Sequence, residues 1–186
     1  MNSLWYLYDN GFSEEICANI LSHWNDLEAQ KGKVGANTVS TDESIRKSKV
    51  NMFPYGSKEQ KNFAHLLEDY ITIANRECFG FHLNGFSEFQ ITEYTANNFY
   101  NEHMDVAINE CESQRKISVT VQLSDTNDYV GGDFMFGTSI LNPDSVSLRT
   151  KGAILTFPSF VPHRVANVTS GKRYSLVGWY EGNKWC

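Results

Sequence analysis

The run Arg115-Lys116-Ile117-Ser118-Val119-Thr120-Val121-Gln122-Leu123-Ser124 decides the fold class. Ile117, Val119, Val121 and Leu123 alternate with Ser118, Thr120 and Gln122, a period of two that an extended strand turns into two distinct faces. The polar face has two readings. It is turned to water, the commoner case in an antiparallel sheet, or it lines a barrel interior and offers donors and acceptors to a polar small molecule. Around this run lie further short β-like segments at 88–94, 99–105, 133–136, 146–149, 152–157, 163–168 and 172–180, separated by Gly, Asn, Asp and Pro. Short strands at close spacing, with no helical pattern between them, predict a double-stranded β-helix, the jelly roll or cupin-like core, rather than a parallel βαβ sheet.

Upstream the pattern is helical. Residues 4–8 suit a short first strand. Ser13 offers an N-cap, Glu14 and Glu15 suit the first turn, and Ile16, Ile20, Leu21, Trp24 and Leu27 recur at helical spacing, which predicts a helix over 13–30. Residues 31–55 are polar and lack a period, and read as a long loop carrying a strand near 49–53. Ser57 with Gln60 forms a capping box ahead of Phe63, Leu66, Leu67, Tyr70, Ile71 and Ala74, so a second helix is expected over 58–78. The expectation is one mainly β domain over 1–186, with helical support and loop in 1–87 and the jelly-roll core in 88–186.

Composition narrows the classes. A net charge of −6 gives no general attraction for a phosphate backbone, and the only basic cluster is Arg46-Lys47-Ser48-Lys49. No nucleic-acid partner is expected. No segment approaches the length of apolar chain that spans a bilayer, and the first residues lack the features of a secretory signal, so no membrane partner is expected either. Cys17, Cys78, Cys111 and Cys186 are scattered without a Cys-x-x-Cys pair, which fits a reducing, cytoplasmic setting. Oligomeric state leaves no trace in the sequence.

The chemistry centres on Tyr94-Thr95-Ala96-Asn97-Asn98-Phe99-Tyr100-Asn101-Glu102-His103-Met104-Asp105. His103 and Asp105, spaced i, i+2 on a strand, leave by the same face and can share one ion. Completed by one distant imidazole they would form the two-histidine, one-carboxylate triad of non-haem Fe(II) oxygenases. With five histidines and 22 acidic residues, about 0.6 such His-x-acid triplets arise by chance, so the pair needs support. His23, His65 and His82 lie in or just after the helical segments, where ordinary surface or core roles predominate. His163 opens a strand after a turn and is the candidate third ligand. Arg173 and Ser175 share one face of the last strand with Val177 and Trp179, a pairing suited to a carboxylate, although a surface Arg-Ser pair has the same spacing.

Taken in order, these elements resemble the Fe(II)- and 2-oxoglutarate-dependent oxygenases, and among them the prolyl 4-hydroxylase-like, PKHD-type group. The resemblance covers about half the chain, from Glu88 to Tyr180. It is carried by Tyr94, Tyr100, His103-Met104-Asp105, Leu123-Ser124-Asp125, Gly131-Gly132-Asp133 and Phe136. It continues in the run Gly152 to Pro158, His163-Arg164-Val165, and Gly171-Lys172-Arg173-Tyr174-Ser175 through Trp179. It implies Fe(II) held by His103, Asp105 and His163, and 2-oxoglutarate chelated to the metal with its far carboxylate on Arg173, assisted by Ser175. Tyr94, Gln122 and Trp179 would complete the pocket, and O₂ would be the oxidant, with ascorbate allowed as a reductant. Because Asp105 retains the carboxylate that related halogenases lack, hydroxylation is implied rather than halogenation.

The implied substrate is a prolyl residue of a peptide or protein, threaded past the 31–56 loop and the Ala107–Gln114 segment. Another amino acid or small molecule, and a non-catalytic jelly-roll metal-binding or scaffold module, are the alternative readings. Gln122 stands where many prolyl hydroxylases carry Tyr, and Arg173 where collagen-type enzymes use Lys, which argues against a collagen-like substrate. The resemblance also implies a microbial or phage source.

Overall fold

The alternating run lies at the centre of the larger of two antiparallel sheets. The computed structural model describes residues 3–34, 41–106, 114–138 and 140–185. In chain order the first half contains β1 (Tyr6–Tyr8), α1 (Glu14–Leu21), β2 (Gln30–Lys31), β3 (Arg46–Lys47), β4 (Lys49–Phe53), α2 (Lys58–Ala74) and β5 (Leu83–Thr95). There follow β6 (Phe99–His103), β7 (Arg115–Gln122), β8 (Tyr129–Gly131), β9 (Phe134–Phe136), α3 (Ser145–Arg149), β10 (Ile154–Pro158), β11 (His163–Val165) and β12 (Val168–Gly182). The larger sheet runs β1-β10-β7-β12-β5-β4-β2, with β8 paired to the start of β12, and the smaller runs β3-β6-β11-β9. Together they form the jelly-roll core expected from the sequence. Among the described residues no helix is long and apolar enough to cross a membrane.

The two faces of β7 do different jobs. Ile117, Val119 and Val121 join the core under the helices, where Cys17 and Ile20 of α1 and Phe63, Leu67 and Ile71 of α2 meet Phe89 and Ile91 of β5. Ser118 and Gln122 are as buried as these apolar neighbours. The polar face therefore lines the interior, and the water-facing reading is excluded. Leu67 is fully buried in the helix–sheet seam. Leu67→Ala is expected to cost about 2–5 kcal/mol, seen as a lower urea midpoint at nearly constant slope.

Several boundaries differ from expectation, each for a local reason. The first helix stops at Leu21 instead of reaching 30. Ser22 turns its hydroxyl back to Asn19 O at 2.6 Å. Asn51 of β4 then captures Asn25 through both backbone groups, at 2.9 and 3.1 Å, which a continuing helix could not offer. Trp24 still packs edge-on against Tyr174, but Leu27 is almost fully exposed. The second helix is α-helical to Ala74 and continues as a wider π turn, Asn75–Phe79, that Gly80 closes in a left-handed conformation. Of its expected capping box, Ser57 accepts from Gln60 N, whereas the Gln60 side chain accepts from Gly56 N.

The segment 146–149 is helical, not extended, because the Asp144 side chain caps it through Ser147 N at 2.8 Å. The expected break near 169–171 lies inside continuous β12, since Gly171, at φ 77°, lets the strand kink away from β8 and carry on beside β5 and β7. Within the supposed loop, 49–53 is indeed a strand, and β2 and β3 are two-residue pairings too short to show a period. Residues 35–40 of that loop, 107–113 of the Ala107–Gln114 segment, Cys111 and Cys186 lie outside the described residues. Cys17 and Cys78 are free thiols.

Candidate metal centre and co-substrate pocket

The ladder between β6 and β11 brings His103 and His163 together. Their Cα atoms are direct partners in the antiparallel register, and the ring centroids are 4.2 Å apart. Each Nδ1 faces a carbonyl of its own segment, Asn101 O at 2.8 Å for His103 and Val161 O at 2.9 Å for His163. An N–H donated to that carbonyl leaves the Nε2 lone pair free, the tautomer a metal requires. Aromatic rings hold the imidazoles in place: Tyr100 stacks on His103 at 3.4 Å and Phe134 on His163 at 5.4 Å.

Asp105 reaches the same point by another route. The strand expected to run to 105 ends at His103. Asp105 N is instead held by Ser159 O at 2.9 Å, in the turn after β10. Its carboxylate lies 3.7 Å from His103 Nε2 and 3.6 Å from His163 Nε2, and one ligand atom from each of the three residues falls within 4.8 Å of the others. Burial, reinforced by His163, pushes His103 down to about 4. Burial alone would raise the Asp105 carboxyl, but the two imidazoles and the Ser118 hydroxyl outweigh it and hold it below the usual carboxylate range. At neutral pH the site thus offers a neutral His103 imidazole and an ionised carboxylate, the protonation states in which they bind a cation.

Arg173 and Ser175 are 5% and 2% exposed and face the same pocket from β12, as do Val177 and Trp179. Among the described residues no carboxylate lies within ion-pair distance of Arg173. Tyr94, opposite Arg173 in the β5–β12 register, has its ring centroid 5.8 Å from the guanidinium. A buried guanidinium without a counter-ion is costly, so the pocket is built to receive an anion.

Gln122 is placed differently from expectation. It lines a small cavity behind Arg173, not the main pocket, and both of its amide protons are spent, on Ser124 O at 3.2 Å and Tyr129 OH at 3.0 Å. Trp179 lies under the Arg115 guanidinium at 3.7 Å, and Arg115 is paired with Glu88 at 2.7 Å.

Arg46 is a charged pocket residue that sequence reasoning missed, as it missed the apolar walls Phe134, Phe157 and Val165. Its guanidinium covers Tyr100 at 4.6 Å, and its Nη2 is buried without a partner. The signal was present in Arg46-Lys47-Ser48-Lys49, where Arg46 and Ser48 are buried and Lys47 and Lys49 exposed. That is strand alternation in what looked like a charge cluster.

Residues 89–181, half of the chain, match the family model described as the 2OG-Fe(II) oxygenase superfamily. The chain belongs to that superfamily. A PKHD-type hydroxylase of Synechococcus sp. (strain CC9311) is 38% identical over 93 residues, 50% of this chain and 41% of the relative. A PKHD-type hydroxylase of Prochlorococcus marinus (strain MIT 9515) is 27% identical over 97% of this chain and 78% of the relative. In the first of these alignments, and in one at 35% identity to a PKHD-type hydroxylase of Colwellia psychrerythraea, the chain spans about two-fifths of the curated relative's length.

A Pseudomonas putida prolyl-4-hydroxylase is similar in fold, with TM-score 0.73 at 18% identity over 97% of this chain and 94% of that one. A Trichoplax adhaerens prolyl hydroxylase, solved with a hypoxia inducible factor peptide fragment, has TM-score 0.75 at 17% identity over 96% and 84%. The superfamily's Fe(II) and 2-oxoglutarate fit the groups in this pocket. Two imidazoles and one carboxylate suit Fe(II) and leave coordination positions open. The unpaired Arg173 suits a carboxylate.

Proposed function

We propose that the chain is an Fe(II)- and 2-oxoglutarate-dependent hydroxylase of a prolyl residue in a peptide or protein, releasing succinate and CO₂. One observation carries the reading: a buried, unneutralised Arg173 shares a pocket with the His103, Asp105 and His163 cluster. A scaffold module has no use for that combination. In this assignment His103, Asp105 and His163 hold the metal. Arg173, with the Ser175 hydroxyl beside it, takes the far carboxylate of 2-oxoglutarate, and Tyr94 packs against that end. Bound Fe(II) with 2-oxoglutarate supplies the oxidising power, one atom of O₂ going into succinate and the other into the substrate C–H bond.

The chain's own contribution is positioning and exclusion of water. Phe134, Phe157 and Val165 wall the pocket beside the histidines, and Tyr100 and Trp179 add aromatic lining that suits an apolar ring such as pyrrolidine. The prolyl assignment is supported by the PKHD-type relatives and the prolyl hydroxylase neighbours. The test is incubation with Fe(II), 2-oxoglutarate and a prolyl-containing peptide library, with mass spectrometry for the gain of one oxygen atom. Succinate formed in proportion to a hydroxyprolyl product is the expected result. Succinate release driven by free amino acids or small molecules, and by no peptide, would replace the prolyl reading.

A further inference from the structure

Two hydroxyls behind Asp105 have no role in the reaction as assigned. Ser118, on the inner face of β7, donates to Asp105 Oδ2 at 2.6 Å, the short distance of a charge-assisted bond. Ser159, in the turn between β10 and β11, has its Oγ 3.0 Å from Ser118 Oγ. Because the Ser118 proton is spent on the carboxylate, Ser159 is the donor in the second bond. Both side chains are buried, at 1% and 0% exposure, so water does not compete. The backbone closes the same ring, with Ser159 N donating to Lys116 O and Asp105 N to Ser159 O, both at 2.9 Å. Asp105 stands beyond the end of β6, where no ladder bond orients it. Its Oδ1 makes no hydrogen bond among the described residues and lies 3.7 Å from His103 Nε2, whereas Oδ2, at 3.6 Å from His163 Nε2, already accepts the Ser118 proton.

We infer that Ser118 and Ser159 form a positioning relay that commits Asp105 Oδ2 and presents the metal with a single carboxylate oxygen, Oδ1. The relay thereby keeps free the positions that 2-oxoglutarate and oxygen need. This rests on the metal reading of the three ligands. Carboxylates bind cations through one oxygen or two, and without Ser118 nothing on this side chain selects between the modes. Ser118 thus acts through Asp105 and touches neither substrate nor co-substrate. Ser159 acts one step further back, by fixing the direction of the Ser118 hydroxyl.

Co(II) is the probe, since its visible spectrum reports coordination without any turnover. Ser118→Ala is expected to take up Co(II) at the wild-type stoichiometry with an altered spectrum, and to bind 2-oxoglutarate about tenfold more weakly once loaded. Ser159→Ala should move both readouts in the same direction by less, and Ser118→Thr, which keeps the hydroxyl, should restore the wild-type spectrum. A wild-type spectrum and wild-type 2-oxoglutarate affinity in Ser118→Ala, with only a lower melting temperature, would make the relay mere packing and overturn the inference. Wild-type protein that takes up no Co(II) would overturn the metal reading and the relay with it. Wild-type protein that takes up Co(II) but no 2-oxoglutarate would refute the proposed function alone, and the Co(II) spectra of the variants would still decide the relay.

Discussion

Arg173→Ala is expected to weaken 2-oxoglutarate binding by roughly a hundred- to several thousandfold while leaving metal uptake within a few-fold. The magnitude follows from burial. Removing one partner of a buried, hydrogen-bonded ion pair typically costs about 3–5 kcal/mol, because the remaining charge stays desolvated and unpaired. Arg173 is 5% exposed, and no cation among the described residues stands in the same place on β12 to replace it. Arg46 lines the other side of the pocket, is held by Ser48 Oγ at 2.9 Å and Lys33 O at 3.1 Å, and is not free to cross over. Calorimetric titration of metal-free protein with metal, and of metal-loaded protein with 2-oxoglutarate, measures the two affinities. Equal losses for metal and co-substrate would show that Arg173 supports the barrel and does not anchor the ligand.

The second large effect is expected from His103→Ala, which should abolish formation of the visible Fe(II)–2-oxoglutarate chelate band under anaerobic conditions. Structural metal sites with four ligands contribute about 10–16 kcal/mol in all, so one ligand is worth roughly 3 kcal/mol, or two orders of magnitude in affinity. The loss is compounded locally, because the His103 ring is also the surface on which Tyr100 stacks, and Arg46 stacks on Tyr100 in turn. The readout is the absorption difference on adding 2-oxoglutarate to Fe(II)-loaded protein. A full-strength band in His103→Ala would remove this residue from the ligand set and leave Asp105 and His163 short of the triad.

Much of the architecture was legible because its signals are local. The alternation in 115–124, the caps at Ser13 and Ser57, and the i, i+2 pairs His103/Asp105 and Arg173/Ser175 need only neighbouring residues to be read. What misled was also local. Trp24 and Leu27 continued a helical pattern that Asn51, 26 positions after Asn25, interrupts through its side chain. The short segment 146–149 read as extended, but the Asp144 cap imposes a helical turn. Gln122 shares the inner face of β7 as expected, yet Tyr129 takes up one of its amide protons and draws it behind Arg173. No spacing within β7 announces that partner.

By itself the sequence determined the jelly-roll class and the residue types fit to hold a cation and a carboxylate, since period and composition are properties of the chain alone. Tertiary structure decided which polar face turned inward, that His163 stands opposite His103, that Asp105 is placed by Ser159 rather than by its own strand, and that Arg46 enters the pocket. Each of these depends on pairing between segments far apart in the chain. Pairing is settled by burial and register across sheets, which no single strand encodes.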